Sequence, residues 1–139
     1  MQKNVIDLVK KFENKSDGTY DIHTLAQVEY SVGYQVSFVR PEAFEQLGNK
    51  DWDIITNYLS IYLESPPYIG VYDGKAEISF HSLSREKAIE TMVTYNQESI
   101  LDWQQKKKFP NDMEKWFIVN RNYNKEGEVD YGEILKTLL

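Results

Sequence analysis

The sequence contains no cysteine, two histidines and no long apolar run. Without cysteine the chain forms no disulfide and no thiolate metal site. No stretch approaches the roughly 18 consecutive apolar residues of a membrane-spanning helix, and the N-terminal sequence MQKNVIDLVKKFENK mixes charged with apolar side chains, unlike a secretory signal. These absences predict a cytoplasmic protein with no membrane partner.

Motifs for catalysis and for phosphate binding are also missing. The seven glycines are scattered, with no Gly-x-Gly-x-x-Gly and no Gly-Lys-Ser/Thr sequence. A Ser-His-acid triad would need His23 or His81, yet no Gly-x-Ser-x-Gly turn is present. His81 shares a predicted strand face with Glu77 and Ser79, as polar residues do on any solvent-facing strand. The sequence therefore predicts no catalytic residue, no cofactor and no metal site.

Acidic and aromatic residues, in contrast, are abundant. The chain has 22 acidic and 16 basic residues and a net charge of -6, so its electric field repels nucleic acid and favours a basic protein partner. Aromatic residues make up 14% of the chain, with ten tyrosines and three tryptophans. Such side chains occur both in small cores and at protein interfaces. The composition predicts binding to a protein with a basic surface and no direct nucleic acid binding, and it leaves the oligomeric state open.

The N-terminal half contains both helical and strand patterns. Apolar spacing predicts helices at residues 5–12 and 52–63. Every even position from Ala26 to Phe38 is apolar, which indicates a strand that Gly33 can divide in two. A short helix is predicted from Pro41 to Leu47, because proline suits a first helical turn.

The stretch SPPYIGVYDGKAEISFH predicts a β-hairpin whose two-residue turn is Asp73-Gly74. That turn sets three cross-strand pairs: Tyr72 with Lys75, Gly70 with Glu77, and Tyr68 with Ser79. One side of the hairpin is then apolar and forms the predicted core face, which comprises Ile69, Val71, Ala76, Ile78 and Phe80. The other side is polar and is predicted to face solvent: Tyr68, Tyr72, Lys75, Glu77, Ser79 and His81.

The C-terminal half predicts further helices. Ser82 or Ser84 caps a helix that ends near Asn96, and a second helix is expected from Ser99 to Lys107. Residues 116–119 are an apolar run that fits either a buried strand or a helix end. Helices and strands mix without regular βαβ alternation. The prediction for residues 1–139 is a single α+β domain, in which a small, mostly antiparallel sheet of three or four strands carries helices on one face.

Residues 122–133, NYNKEGEVDYGE, resemble the twelve-residue calcium loop of EF-hand proteins. Gly127 matches the glycine of the loop, Val129 its apolar position and Glu133 its bidentate ligand. The resemblance implies four further side-chain ligands and one carbonyl ligand: Asn122, Asn124, Glu126, Asp130 and the carbonyl of Glu128. The first ligand position is Asn in place of the usual Asp, and the fifth is the longer Glu. A turn before a helix capped by Asp130 explains the same residues.

The block YIGVYDGKAEISFHSLSREKAIETMVTYNQESILDW resembles small accessory proteins of phages and plasmids. Together with the acidic charge, this favours a non-enzymatic inhibitor of a nuclease or defence complex, or an immunity protein for a toxin. The predicted contact residues lie on the hairpin and in an acidic loop: Tyr68, Tyr72, Glu77, Glu126, Glu128 and Asp130. Two alternatives remain open: a small-ligand or calcium-binding domain, and an enzyme that uses His81 or an acid pair in a cleft.

Overall fold

The computed structural model describes residues 5–38, 43 and 46–139. Its strands are β1 (Gly18–Asp21), β2 (Gln27–Val28), β3 (Tyr34–Ser37), β4 (Pro67–Tyr72), β5 (Lys75–Ser82), β6 (Ser99–Asp102) and β7 (Phe117–Val119). Its helices are α1 (Val5–Lys11), α2 (Asn49–Leu63), α3 (Arg85–Thr94), α4 (Trp103–Lys108) and α5 (Tyr131–Leu138), with a 3₁₀ helix at Met113–Trp116. All strands join one antiparallel sheet in the order β2-β1-β4-β5-β3-β6-β7.

The α+β class is confirmed, but the predicted sheet of three or four strands is wrong, because the sheet of the described residues has seven. Strands β1 and β6 were not predicted, because each has four residues and shows too little alternation to be recognised. One of them, β6, occupies the first half of the helix predicted from Ser99 to Lys107. There the chain pairs with β3 and β7, and the helix begins only after Asp102, whose side chain accepts from the backbone N–H groups of Gln104 and Gln105.

Most other predicted elements are confirmed. Helices α1 and α2 lie where the apolar spacing places them, Ser84 caps α3, and α5 follows its Asp130 cap. The long alternating run is divided at Gly33, as the sequence allowed, into β2 and β3. Asn96 has a positive φ of 48° just after α3, which confirms a break there. Residues 117–119 form a strand. The helix predicted at residues 41–47 lies largely outside the described residues.

The apolar face of the hairpin forms the core under the helices. The predicted register is confirmed, and Ile69, Ile78 and Phe80 are fully buried beneath α1 and α2. Each such side chain contributes about 1.5–3 kcal/mol by leaving water. A smaller cluster beneath α3 consists of Val36, Ala88, Met92 and Ile100. These contacts fix α1, α2, α3 and α5 on one side of the sheet, called the helix side below.

The sheet curls toward its opposite side, called the second face below. Tyr72 at the end of β4 and Phe117 at the start of β7 both point to this face, because their neighbours Val71 and Ile118 pack on the helix side. In a flat sheet of this register they would lie on the order of 25 Å apart. Their ring centroids are 6.1 Å apart. The strong curl makes the second face concave.

Candidate functional site

The polar face of the hairpin is covered by residues 29–33, the segment that joins β2 to β3. The Tyr30 ring stacks on His81 with centroids 3.7 Å apart, and its hydroxyl is hydrogen-bonded to that of Tyr68. Tyr68 is on the predicted face but is only 6% exposed. The expectation that Tyr68 faces solvent is therefore wrong, because a segment from elsewhere in the chain packs on it.

Beneath Tyr30, buried polar side chains form a connected chain of hydrogen bonds. The indole Nε1 of Trp103 donates to Gln35 Oε1 at 3.0 Å, and Gln35 Nε2 donates to Ser79 Oγ at 2.9 Å. All three side chains are buried. Because the amide of Gln35 is engaged at both ends, this network stabilises the second face without leaving a polar atom directed at a ligand.

The other residues of the hairpin face have separate environments. His81 Nε2 is 2.8 Å from the carbonyl oxygen of Val32, and Ser79 accepts from Gln35, so neither side chain is hydrogen-bonded to the other as a triad would require. Glu77 is half-buried opposite Gly70. Tyr72 is 57% exposed at the end of the hairpin. Of the two tyrosines predicted as hairpin contacts, only Tyr72 is accessible to a partner.

Buried tyrosines make the fold sensitive to alkaline pH. Burial raises the pKa of Tyr95 to about 12, and burial together with the hydroxyl of Tyr30 raises the pKa of Tyr68. Since tyrosine in the unfolded chain ionises near pH 10, their stabilising effect is complete below about pH 10 and is lost as the pH rises through the folded pKa. We expect the urea midpoint to fall between about pH 10 and pH 12. Tyr95→Phe should reduce that fall, and Tyr72→Phe, at an exposed position, should not. An equal change of the urea midpoint with pH in both variants would contradict a role for the buried Tyr95 hydroxyl.

The predicted acidic loop, residues 126–130, is attached to the end of α3. The side-chain amide of Asn96 donates to the carbonyls of Asn124 and Gly127 at 2.9 and 3.2 Å, and its oxygen accepts from the Asn124 N–H. Glu126 and Glu128 are exposed and form no ion pair with another described residue. The loop therefore lies on the helix side, and the structure does not bring it together with the hairpin face.

Asp130 ends this loop and caps α5. Its carboxylate accepts from the Glu133 N–H at 3.0 Å. Asp130→Ala removes this cap, and we expect it to lower the free energy of unfolding by about 1 kcal/mol. Asp130→Asn keeps an acceptor at the same place and should cost less. Chemical denaturation of both variants measures the difference; an equal loss would show that charge, and not the cap, stabilises the helix end.

The resemblance to an EF-hand extends to the helix after the loop but not to the chain before it. An EF-hand loop joins two helices, whereas this loop follows β7 and a turn. Glu133, which matches the bidentate ligand, pairs with Lys136 at 3.3 Å. Across residues 5–38, 43 and 46–139, no three His, Cys, Asp or Glu side chains are grouped as a metal ion would need.

Sequence patterns did not reveal a groove between α2, α3 and α5, called the tyrosine groove below. Its volume is about 200 Å³, and its principal lining residues are Tyr58, Tyr62, Glu90, Thr94, Ile134 and Leu138. Tyr58 and Tyr62 repeat at helical spacing with the buried Leu59 and Leu63, so the pattern assigns all four residues to the core stripe. One feature of the sequence could have indicated the groove: the apolar stripe of α2 is wider than the face that a helix buries against a core.

Electrostatics in the tyrosine groove involve Tyr62 and Glu90. Burial, followed by a hydrogen bond to Glu90 and the negative charge of that carboxylate, raises the pKa of Tyr62. The Lys87 ammonium lies 5.0 Å from the centroid of the Tyr62 ring and donates to the Tyr62 carbonyl at 3.0 Å. A tyrosine of this groove therefore already holds a lysine ammonium against its ring.

No protein-family model matches this chain, and no curated protein sequence or solved structure is similar to it. Among the described residues, no helix has the length and apolar character needed to cross a membrane. Functional inference therefore depends on the chemistry of these surfaces. The second face is covered by Tyr30 around Tyr68 and His81, whereas the acidic loop and the tyrosine groove are open on the helix side.

Proposed function

We propose that this protein is a non-enzymatic, acidic protein-interaction module of the cytoplasm that docks on a basic surface of a macromolecular target. The proposed target is a macromolecule such as a nuclease complex, and the protein would act on it as an inhibitor, an immunity protein or an anti-defence factor. The observation that carries this proposal is the acidic loop, which is held in place by Asn96 while Glu126 and Glu128 extend from it without a cation partner among the described residues.

The surface charge supports an electrostatic docking mode. Among the described residues the ion pairs are Lys115 with Asp112 and Lys136 with Glu133, each three residues apart and exposed. Exposed acidic side chains of the described residues, among them Glu126 and Glu128, are thus available to steer a basic partner, and desolvated aromatic contacts would then supply affinity.

The two predicted contact regions, the polar face of the hairpin and the acidic loop, are not equally accessible to a partner. Tyr68 would have to be uncovered by displacement of Tyr30 before a partner touched it, so we omit it from the proposed contacts. Tyr72 and Glu77 are the proposed contacts of the second face, and Glu126, Glu128 and Asp130 are exposed on the helix side. We place the main docking surface at the acidic loop.

The test is affinity capture from host lysate at low salt with the immobilised protein, followed by elution with increasing salt. The variant carries Glu126→Gln, Glu128→Gln and Asp130→Asn, which removes three negative charges and keeps an acceptor at the helix cap. The matched control removes three exposed acidic charges elsewhere: Glu13→Gln, Glu29→Gln and Glu114→Gln. We expect a basic protein to be captured, and about tenfold weaker binding of the loop variant alone.

Capture of no basic protein would overturn the proposal, as would equal losses for the two variants, since a uniform loss reports net charge only. Thermal shift measurements with nucleotides and with calcium chloride test the alternatives. A ligand that binds the folded state raises the melting temperature by mass action. A rise with a nucleotide would favour the small-ligand function, and a rise with calcium would favour the EF-hand resemblance.

A further inference from the structure

We propose that the tyrosine groove binds a partner segment that presents a lysine or arginine side chain next to an apolar one. This inference rests on the proposed function, because it assigns the partner's basic segment to a second surface beside the acidic loop. The occupant is a segment of the target protein and not a second copy of this chain, since two chains of net charge -6 repel each other.

The groove has room for an apolar side chain. Its volume of about 200 Å³ exceeds the ~150 Å³ cavity that an engineered core truncation leaves. Leu59 is buried at its floor, and Ile134 and Leu138 line it from α5. At the open edge of α2, Ile61 is 79% exposed one turn from Tyr58. A leucine or methionine of the partner would cover apolar surface that now contacts water.

The same groove offers two features that recognise a cation. Glu90 is exposed, lines the groove together with Tyr62 and forms no ion pair with another described residue. Its carboxylate has further acceptor positions for a lysine or arginine. The rings of Tyr58 and Tyr62 are stacked, with an interplanar angle of 4° and centroids 6.1 Å apart, and Tyr58 is 45% exposed. A partner cation would meet Tyr58 as Lys87 meets Tyr62.

Charges around the groove leave it acidic. Glu86 lies on α3 one turn before Glu90, and Lys87 is directed to the carbonyl of Tyr62. On α5, Lys136 is paired with Glu133. The groove and the hollow beside Glu128 are neighbours, because Tyr95 borders both. One basic segment could therefore contact both surfaces.

The test uses synthetic peptides as probes and fluorescence anisotropy as the measurement. The first peptide places leucine and lysine at helical spacing, and the second keeps every lysine but replaces each leucine by serine. We expect the leucine-containing peptide to bind about tenfold tighter. Glu90→Gln and Tyr58→Ala should each weaken it about tenfold. The matched control Glu114→Gln, in the exposed 3₁₀ helix at Met113–Trp116, should leave its affinity unchanged.

Equal binding of the two peptides would overturn the groove proposal, as would unchanged affinity in Glu90→Gln and Tyr58→Ala. Neither result contradicts the proposed function if a basic protein is captured from lysate through the acidic loop. Conversely, failure of the lysate capture would overturn the proposed function even if the peptide bound. Light scattering of the protein alone should give a monomer; a dimer abolished by Tyr58→Ala would show that a second copy occupies the groove.

Discussion

Trp103→Ala should lower the free energy of unfolding by about 3–5 kcal/mol, among the largest losses expected for a single substitution in this chain. Trp103 is 2% exposed and packs against Tyr30 on the second face. Its removal leaves a cavity and also leaves Gln35 Oε1 without its buried donor. Equilibrium unfolding in urea measures the loss.

Two further substitutions separate the contributions to this effect. Trp103→Phe keeps an aromatic ring but removes the indole N–H, so it should cost about 1–3 kcal/mol. Trp116→Ala removes a half-buried tryptophan of the 3₁₀ helix, and its loss should be smaller than that of Trp103→Ala. Equal losses for the two alanine variants would mean that the second face is not a packed layer.

Gly33→Ala should cost on the order of 2–4 kcal/mol, because the backbone there has a φ of 92° that L side chains rarely adopt. An alanine Cβ would lie 2.9 Å from the carbonyl oxygen of Ser82 and would overlap the His81 ring. Since Ser82 is fixed in β5, the segment that carries Tyr30 must move. We therefore expect Gly33→Ala to change the tyrosine fluorescence of the folded protein, and the quenching of that fluorescence, in addition to lowering the stability.

Gly70→Ala is the matched control for this prediction. Gly70 lies in β4 at an ordinary φ, and the nearest atom to a Cβ there is Ser79 Oγ at 3.5 Å. We expect a change below about 1 kcal/mol. If Gly33→Ala were equally harmless, the close approach of residues 29–33 to the hairpin would be wrong.

The hairpin and the four helices of the helix side were predictable because each has a clear local period. Strand β2 lies in the predicted alternating run, but its partner β1 has only four residues, and their pairing depends on a turn that the pattern does not specify. The covering of the hairpin was also beyond local reasoning. Alternation assigns Tyr68 to a face, but what packs on that face is Tyr30, 38 residues away.

The candidate surfaces show the same division. The acidic loop was predictable from a run of charges before a capped helix, and the structure places that helix as expected. The tyrosine groove was not, because spacing at three and four groups Tyr58 with Leu59 on one stripe although Tyr58 is 45% exposed. Which residues of that stripe are buried and which line the groove is decided by the packing of α2 against α3 and α5, and the sequence of α2 alone does not show it.

Carboxyl footprinting of the complex with the captured partner tests the central claim most directly. Exposed Asp and Glu side chains are labelled in the free protein and in the complex, and mass spectrometry locates the carboxylates that become protected. The proposed docking side predicts protection of Glu90, Glu126 and Glu128, with Glu29 and Glu114 labelled as in the free protein. Protection of Glu29 and Glu114, with the groove and the acidic loop unchanged, would contradict it.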